Sequence, residues 1–333
     1  MNKLIFSTTL LSTLISTSSF AFEVYSNDDS SLLLGGRVEP RFNVSDANTV
    51  AKDADGNFVT DANGEGVVDS NKSSFDDISR ARIYIDGTTR VNEDVSVFGF
   101  YEGELTSGSS EIENRYMYAG VATGFGAFSY GKQDSAQVIL TDVTDIMETF
   151  GGSASDLVEG NQDKRENNFV YQLEIPFGVT ATANYIASDK EDNDSAGLSL
   201  IYDDPIGFAF GVGYVDGKQN DVDANQMNVV ASYAVGDFYM GGIYVSGEID
   251  NVDVDGYEIA AAYTLDDFVF RYVYNNRDAD DKAKISDYEV DYHAIEGVYN
   301  VTNNFLGYAG YEFNRLDGKQ NDDQFQAGIR YNF

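Results

Sequence analysis

Apolar and polar residues alternate with a period of two over much of the chain. The alternation is clearest in residues 268–274 and 325–333, and it recurs in residues 37–42. A period of two places successive side chains on opposite faces of a β-strand. A soluble sandwich would show the same alternation, so this pattern predicts strands without choosing between a sandwich and a barrel.

Two kinds of connection separate the predicted strands. The short turns are Asn92–Asp94, Gly124–Gly126, Pro176–Gly178, Asp203–Pro205, Gly236–Asp237, Asp266–Asp267 and Thr302–Asn304. The longer polar loops are Ser45–Ser74, Gln133–Arg165, Ser188–Ser195, Gly217–Gln226, Glu248–Asp255, Asn276–Asp287 and Leu316–Asp322. Because the two kinds alternate, one end of the molecule carries all the loops, which is the arrangement of outer-membrane barrels.

The sequence therefore predicts an all-β fold, an antiparallel transmembrane β-barrel of about sixteen strands with short periplasmic turns and long extracellular loops. A closed sheet is the β-structure that pairs every backbone N–H and C=O within lipid. Tyrosines near predicted strand ends are candidates for the aromatic girdles at the membrane surfaces: Tyr84, Tyr118, Tyr185, Tyr263 and Tyr311.

The N-terminus has the features of a signal peptide. Lys3 precedes an apolar segment from Leu4 to Ile15, and small residues flank Phe20 at the end of the segment. We predict cleavage after Ala21, which leaves residues 22–333 as a single barrel domain. Export of this kind agrees with an integral protein of the Gram-negative outer membrane, and the absence of cysteine suits an oxidising envelope.

The chain is strongly acidic, with 56 acidic and 21 basic residues and a formal net charge of −35. This charge excludes nucleic acid as a partner, because phosphate binding requires a basic surface. The acidity is explained equally well by solubility and by a cation-favouring field around a pore. Residues 53–57 and 61–65 resemble fragments of calcium loops, but neither fits the full EF-hand pattern. We predict no metal site and no cofactor.

Several segments together resemble the trimeric porins of Gram-negative bacteria, most closely the OmpU-like porins of vibrio-type bacteria. The resemblance spans nearly the whole predicted mature chain and is clearest before Met147. The segments that carry it are Gly35–Arg37, Ser79–Ile83, Gly99–Glu104, Asn114–Tyr116, Tyr118–Gly120, Tyr130–Lys132, Thr144–Met147 and Gly328–Phe333.

The resemblance implies a 16-stranded homotrimeric barrel for general diffusion of small hydrophilic solutes, surrounded by outer-membrane lipid and lipopolysaccharide. It also implies that the third loop, residues 133–165, folds into the lumen and narrows it. Asp145 matches a pore-lining acidic position of such loops, whereas Thr149 occupies the next one, beside Glu148. The aromatic C-terminus, Tyr331 and Phe333, matches the signal that barrel-assembly machinery recognises, and Phe333 is also the last residue expected to face lipid.

Opposed charges at a constriction set a transverse field and limit solute size. The period of two places Arg37 and Arg41 on the face opposite Val38, and it places Arg80 and Arg82 together on the neighbouring strand. We predict that these four line the pore, because a lipid-facing arginine costs about 2–4 kcal/mol near the midplane. The other candidates are basic Arg115 and Lys132, and acidic Asp142, Asp145, Glu148 and Glu102.

The function predicted from these features is passive diffusion with a preference for cations. An enzyme is not expected, since His293 is the only histidine and no nucleophile motif accompanies it. The alternation predicts that His293 faces the lumen with Asp291 and Glu289. A surface adhesin or structural envelope barrel, using its acidic loops for binding, remains the alternative, and a porin could serve that role as well.

Overall fold

The protein is described by a computed structural model that covers residues 21–54, 58–63, 66–190, 193–279, 288–316 and 321–333. The signal-peptide prediction lies outside the described residues except for Ala21. Within the described residues the only helices are α1, Val138–Thr141, and a 3-10 helix, Glu159–Asn161. No helix among them has the length and apolar character needed to cross a membrane. The strands are β1 (Phe22–Ser26), β2 (Ser30–Glu39), β3 (Arg41–Ser45), β4 (Phe75–Asp77), β5 (Arg80–Arg90), β6 (Val95–Thr106), β7 (Glu113–Thr123), β8 (Gly126–Gln133), β9 (Arg165–Ile175), β10 (Val179–Ile186), β11 (Ser195–Asp203), β12 (Phe208–Gln219), β13 (Val222–Val235), β14 (Phe238–Ile249), β15 (Val252–Leu265), β16 (Phe268–Ala279), β17 (Val290–Thr302), β18 (Phe305–Asn314) and β19 (Gln324–Asn332).

These segments form a closed antiparallel barrel of sixteen wall strands, as predicted. Pro40 has no N–H to donate and separates β2 from β3 within one wall strand, and a short break separates β4 from β5. The barrel closes where β19 pairs with both β2 and β3, for example through Tyr331 opposite Val38. The backbones of Phe333 and Gly36 exchange hydrogen bonds of 2.9 and 3.0 Å and complete this closure.

The first strand, β1, is additional to the sixteen wall strands. It pairs with β2, with Phe22 opposite Leu34 and Ser26 opposite Ser31. All five residues of β1 are exposed. The structure shows this N-terminal stretch as one arm of a hairpin with β2, which extends the wall beyond Phe333.

All seven predicted short turns connect neighbouring strands, but two of the predicted long loops are wrong. The strands β12 and β13 continue to a two-residue turn at Asn220 and Asp221, and β14 and β15 continue to one at Asp250 and Asn251. All four turn residues have positive φ, between 51° and 66°. Asn and Asp tolerate this conformation, and the resulting turn matches the twist of paired strands.

The two faces of the wall are distinguished by exposure. On β5, Ile83 and Ile85 are each 45% exposed on the outer face, whereas Tyr84 is 5% exposed on the inner face. The girdle prediction is therefore wrong for Tyr84 and also for Tyr118, which lies on the inner face opposite the exposed Met117 and Val121.

The prediction that His293 faces the lumen is also wrong, because it lies on the outer face. The inner residues of β17 are its buried neighbours Tyr292 and Ala294. The His293 ring stacks on Tyr274 at 4.4 Å, and its Nδ1 lies 2.7 Å from the hydroxyl of Tyr272. The strand was predicted correctly, but its inward-facing and outward-facing positions were assigned the wrong way round.

The apolar core lies inside the barrel, between the third loop and the inner face of the wall. Leu140 and Val143 of the loop pack with Val230, Ile243 and other buried wall residues. Two further clusters centre on Phe150 and on the pair Leu157 and Val158. The loop therefore folds into the lumen, and its apolar side chains fasten it to one half of the wall.

Candidate functional site

A cavity of about 590 Å³ lies between the third loop and the opposite half of the wall. It is partly open to solvent. Wall residues and loop residues both contribute to its lining, including Arg37, Arg82, Glu102 and Arg330 from the wall and Ile139 and Asp142 from the loop. This gap is the candidate constriction.

The first part of the basic wall is organised around one buried carboxylate. Arg37 and Glu39 of β2 lie opposite Arg82 and Arg80 of β5. Glu39 is 0% exposed and lies 2.6 Å from the Nε of Arg80 and 3.4 Å from Arg37. Its other carboxylate oxygen accepts a hydrogen bond of 2.9 Å from the hydroxyl of Tyr308. A carboxylate in this position compensates two guanidinium groups that would otherwise repel each other.

The second part of the wall repeats the arrangement with two glutamates of β6. Arg82 donates to Glu104, and Arg115 donates to Glu102 over 2.6 Å. Arg115 also lies 3.7 Å from Glu104. Arg82, Arg115 and Glu102 therefore lie together on the inner wall, where the glutamates neutralise much of the positive charge.

Arg41 lies inside the barrel but outside these ion pairs. It is 7% exposed, donates to Gln326 over 2.5 Å and lies 5.8 Å from the centroid of the Tyr308 ring. Lys132 does not line the lumen. It shares the outer face with Tyr130 and forms a 3.0 Å ion pair with the exposed Glu166. Alternation explains this placement, because Gln133, the next residue, points inward.

Glu148 connects the tip of the third loop to the basic wall. Its two carboxylate oxygens accept hydrogen bonds of 2.5 and 2.9 Å from Arg330 of β19. Arg271 lies 3.6 Å away, and Glu296 accepts the backbone N–H of Glu148 over 2.9 Å. Burial alone would raise the pKa of Glu148, but Arg330 and Arg271 outweigh it and lower the pKa. Glu148 is therefore ionised at neutral pH.

Polar wall residues bind the same loop at several further points, most of them backbone groups. Glu258, which is 1% exposed, accepts from the hydroxyl of Thr144 and from the N–H of Ser155 over 2.5 and 2.7 Å. Arg277 donates to the carbonyls of Ser153 and Asp156 over 2.9 and 3.0 Å. A loop inside a barrel must satisfy its backbone groups in this way, since it has no ladder of its own.

Two aspartates of the loop, Asp142 and Asp145, are exposed to the lumen. Neither takes part in an ion pair within the described ranges. Enclosure and the nearby carboxylates of Asp134 and Asp145 raise the pKa of Asp142 to about 7. Gly151 and Gly152, with φ of 135° and 71°, turn the chain back beside Asp145. No grouping of three metal-ligating side chains occurs in the part of the chain that the structure describes.

Several charged residues of the site were not selected from the sequence, namely Glu39, Glu104, Arg271, Glu296 and Arg330. The signal for two of them was present, because Arg271 alternates with Phe270 and Tyr272, and Arg330 with Ile329 and Tyr331. Glu39 could have been found by its spacing from Arg37. A glutamate two positions from a basic residue lies on the same face of a strand.

A closed antiparallel barrel, whose lumen is narrowed by an inward loop and lined by charged residues, defines the class of outer-membrane porins. The comparisons identify the family. The model of the Gram-negative porin family matches residues 7–332, so the chain belongs to this family. Proteins of this family and fold are channels and not enzymes.

Relatives similar over all or nearly all of their length come from the genera Photobacterium and Vibrio. The porin-like protein L of Photobacterium profundum is 35% identical, and all of both chains is covered. Outer membrane protein U of Vibrio parahaemolyticus is 30% identical, also with all of both chains covered. Outer membrane protein U of Vibrio cholerae is 30% identical over 93% of this chain and 90% of its own.

Solved structures share the fold at lower identity. OmpF of Salmonella typhi, in complex with daunomycin, has a TM-score of 0.78 and 19% identity over 94% of this chain and all of its own. An anion-selective porin from Comamonas acidovorans has a TM-score of 0.69 and 17% identity over 92% of this chain and all of its own. Because porins named for anion selectivity share this fold, the fold alone leaves the sign of ion selectivity open.

Proposed function

We propose that this porin passes small hydrophilic solutes and ions passively and prefers cations weakly. The observation that carries the proposal is the contrast between paired and unpaired charges at the constriction. Arg37, Arg80, Arg82, Arg115 and Arg330 each lie within ion-pair distance of a glutamate. Asp142 and Asp145, on the loop that faces them, have no such partner among the described residues.

Pairing within the wall makes the preference weak. A guanidinium group beside a carboxylate contributes a dipole to the lumen instead of a full charge, so the field from the wall falls off rapidly with distance. Asp145, and Asp142 above its pKa of about 7, act as unpaired negative charges on a passing ion. The excess of 56 acidic over 21 basic residues in the chain adds a negative potential in the same direction.

Reversal potentials across planar bilayers in a KCl gradient test this proposal. For the unmodified protein we expect a reversal potential whose sign reports a preference for potassium over chloride. For Asp145→Asn we expect a smaller preference of the same sign. The matched control is Asp237→Asn, which removes the same charge from an exposed periplasmic turn. A chloride preference of the unmodified protein, or equal effects of the two substitutions, would contradict the proposal. Folded protein that leaves the bilayer without conductance would refute the channel itself.

We also propose that the working form is a homotrimer. A solved structure of OmpT from Vibrio cholerae, 18% identical to this chain with a TM-score of 0.66, is described as a trimer form. Conductance that closes in three equal steps per insertion would support a trimer with one pore per subunit, and single steps would contradict it.

The remaining proposals concern export and assembly. Removal of residues 1–21 would make Phe22, the first residue of β1, the new N-terminus. The mass of the protein purified from outer membranes tests cleavage after Ala21. The pairing of Phe333 with Gly36 at the closing seam supports a role for the C-terminal aromatic residues in assembly by barrel-assembly machinery. Lipopolysaccharide is the proposed lipid neighbour of the extracellular half.

A further inference from the structure

Three neighbouring periplasmic turns carry large apolar side chains at their tips. Phe125 lies between β7 and β8, Phe177 between β9 and β10, and Ile206 between β11 and β12. Their exposed fractions are 84%, 92% and 74%. Successive turns of this kind are two strand spacings apart, or about 10 Å. The three tips therefore form a row along one side of the periplasmic rim, which we call the apolar rim.

The apolar rim continues the face of the barrel that contacts lipid. Phe177 follows Phe169, Tyr171 and Ile175 in the outward phase of β9, and these three are 37%, 42% and 39% exposed. Phe125 has the same phase as the outward Val121 on β7. The hydroxyl of Tyr171 donates to the carbonyl of Phe125, so that an outer-face side chain reaches the turn itself. Tyrosine is suited to this position because its ring lies in apolar surroundings and its hydroxyl near water.

The other four short turns between wall strands are different. Their tips are polar, with Asn92, Glu93 and Asp94 in one turn and Asp237, Asp266 and Asn303 in three others. At these turns the last apolar outward residue lies within or beside the strand end, as at Leu265. The apolar band of the barrel thus reaches one turn deeper on the side of β7–β12 than at these four polar turns.

The backbone at Phe177 indicates that the turn itself does not select this side chain. Phe177 has a φ of 79°, in the left-handed region that Gly, Asn and Asp accept most readily. The adjacent Gly178 also has positive φ, at 84°. An aromatic residue here is strained and almost fully in water when the chain is considered alone, so its benefit must come from what covers it.

We propose that the apolar rim inserts into the interfacial region of the inner leaflet of the outer membrane and binds phospholipid there. The continuity of Phe177 with the lipid-facing residues of β9 favours lipid over a protein partner. The inner leaflet would then meet the barrel closer to the periplasm at β7–β12 than at the four polar turns.

Single tryptophan variants test this in proteoliposomes, because the chain contains no Trp and an introduced one is the sole reporter. The variants are Phe125→Trp, Phe177→Trp and Ile206→Trp, with Asp237→Trp at a polar turn as the matched control. Folding of each is verified by its channel conductance. The probes are phospholipids brominated near the headgroup end of the acyl chains, and aqueous iodide.

We expect the three apolar-rim variants to emit at shorter wavelength than the control, to lose most of their emission in brominated lipid and to resist iodide. The control should show the opposite behaviour. Emission of the rim variants like that of the control overturns the proposal. Short-wavelength emission that brominated lipid leaves unchanged overturns it as well, because it shows that protein, such as a second copy of the chain, covers the tips. The three positions provide independent variants if one fails to fold.

Discussion

Neutralising Glu148 should make the pore less cation-preferring, and neutralising Arg330 should make it more so. The two residues share two hydrogen bonds of 2.5 and 2.9 Å at the tip of the third loop. Glu148→Gln leaves the positive charge of Arg330 at the constriction, and Arg330→Gln leaves the negative charge of Glu148. Arg271 and Glu296 remain in place in both variants.

The size of the effect follows from the distance of an ion to the changed charge. At roughly 8 Å in water, a unit charge changes the energy of a monovalent ion by about 0.5 kcal/mol. The sign is opposite for potassium and chloride, so the permeability ratio changes by about 1 kcal/mol, or roughly fivefold. At 0.15 M salt the Debye length is about 8 Å, which reduces the change to roughly twofold. At 1 M salt, where the Debye length is about 3 Å, almost none should remain.

The assay is the reversal potential in KCl gradients at low, intermediate and high salt. Glu148→Gln should lower the ratio of potassium to chloride permeability, Arg330→Gln should raise it, and the double variant should return close to the unmodified value. The hydrophobic contacts of Phe150 and Leu140 with the wall should keep the loop in place in each variant.

The opposite signs and their cancellation distinguish electrostatics from structural damage. If both single variants change selectivity in the same direction, loss of loop position explains the data and the reasoning is refuted. An effect that persists at 1 M salt refutes it as well, because screening must remove a purely electrostatic change.

Three further outcomes are expected. Asp142, with a pKa raised to about 7, is ionised above that pH and neutral below it, so potassium preference should fall between pH 8 and pH 6, and Asp142→Asn should flatten this dependence. Leu140→Ala should weaken loop docking by about 3 kcal/mol and expose the loop to protease, since Leu140 is 0% exposed; an unchanged digestion pattern would contradict this. Gly36→Val should prevent barrel closure, because a Cβ there overlaps the carbonyl oxygen of Arg82; heat-modifiable gel mobility like that of the unmodified protein would argue against it.

The fold was predictable because a β-sheet that spans a membrane must pair all of its backbone N–H and C=O groups, which excludes open sheets and leaves a closed barrel. Alternation predicted the strands, and the short turns predicted their order around the barrel. The errors came from local signals that alternation does not contain. The polar residues around Asn220 and Asp250 were interpreted as loops, although such residues also form tight turns with positive φ. At His293 the strand was identified correctly, but a shift of one residue reversed the face.

The positions of the charged wall residues were predictable from the sequence, and those of the loop residues were much less so. Arg37, Arg80 and Arg82 lie inside because lipid forbids the other face, which is a local constraint. The partners of those arginines depend on register between strands distant in sequence, as for Arg330, which lies 182 residues from Glu148. Strand periodicity carries no information about such register.

The apolar half of the inner wall shows how the loop and the barrel depend on each other. Alternation predicts polar residues on the face toward the lumen, but Val230, Ile243, Val245 and Val273 lie there and are almost fully buried. These strands are apolar on both faces, because lipid covers one face and the third loop covers the other. Apolar residues at inward-facing strand positions therefore indicate where the loop docks on the wall. It follows that removal of the third loop should expose this apolar surface to water in the lumen, so that the loop contributes to the stability of the wall as well as to the size of the pore.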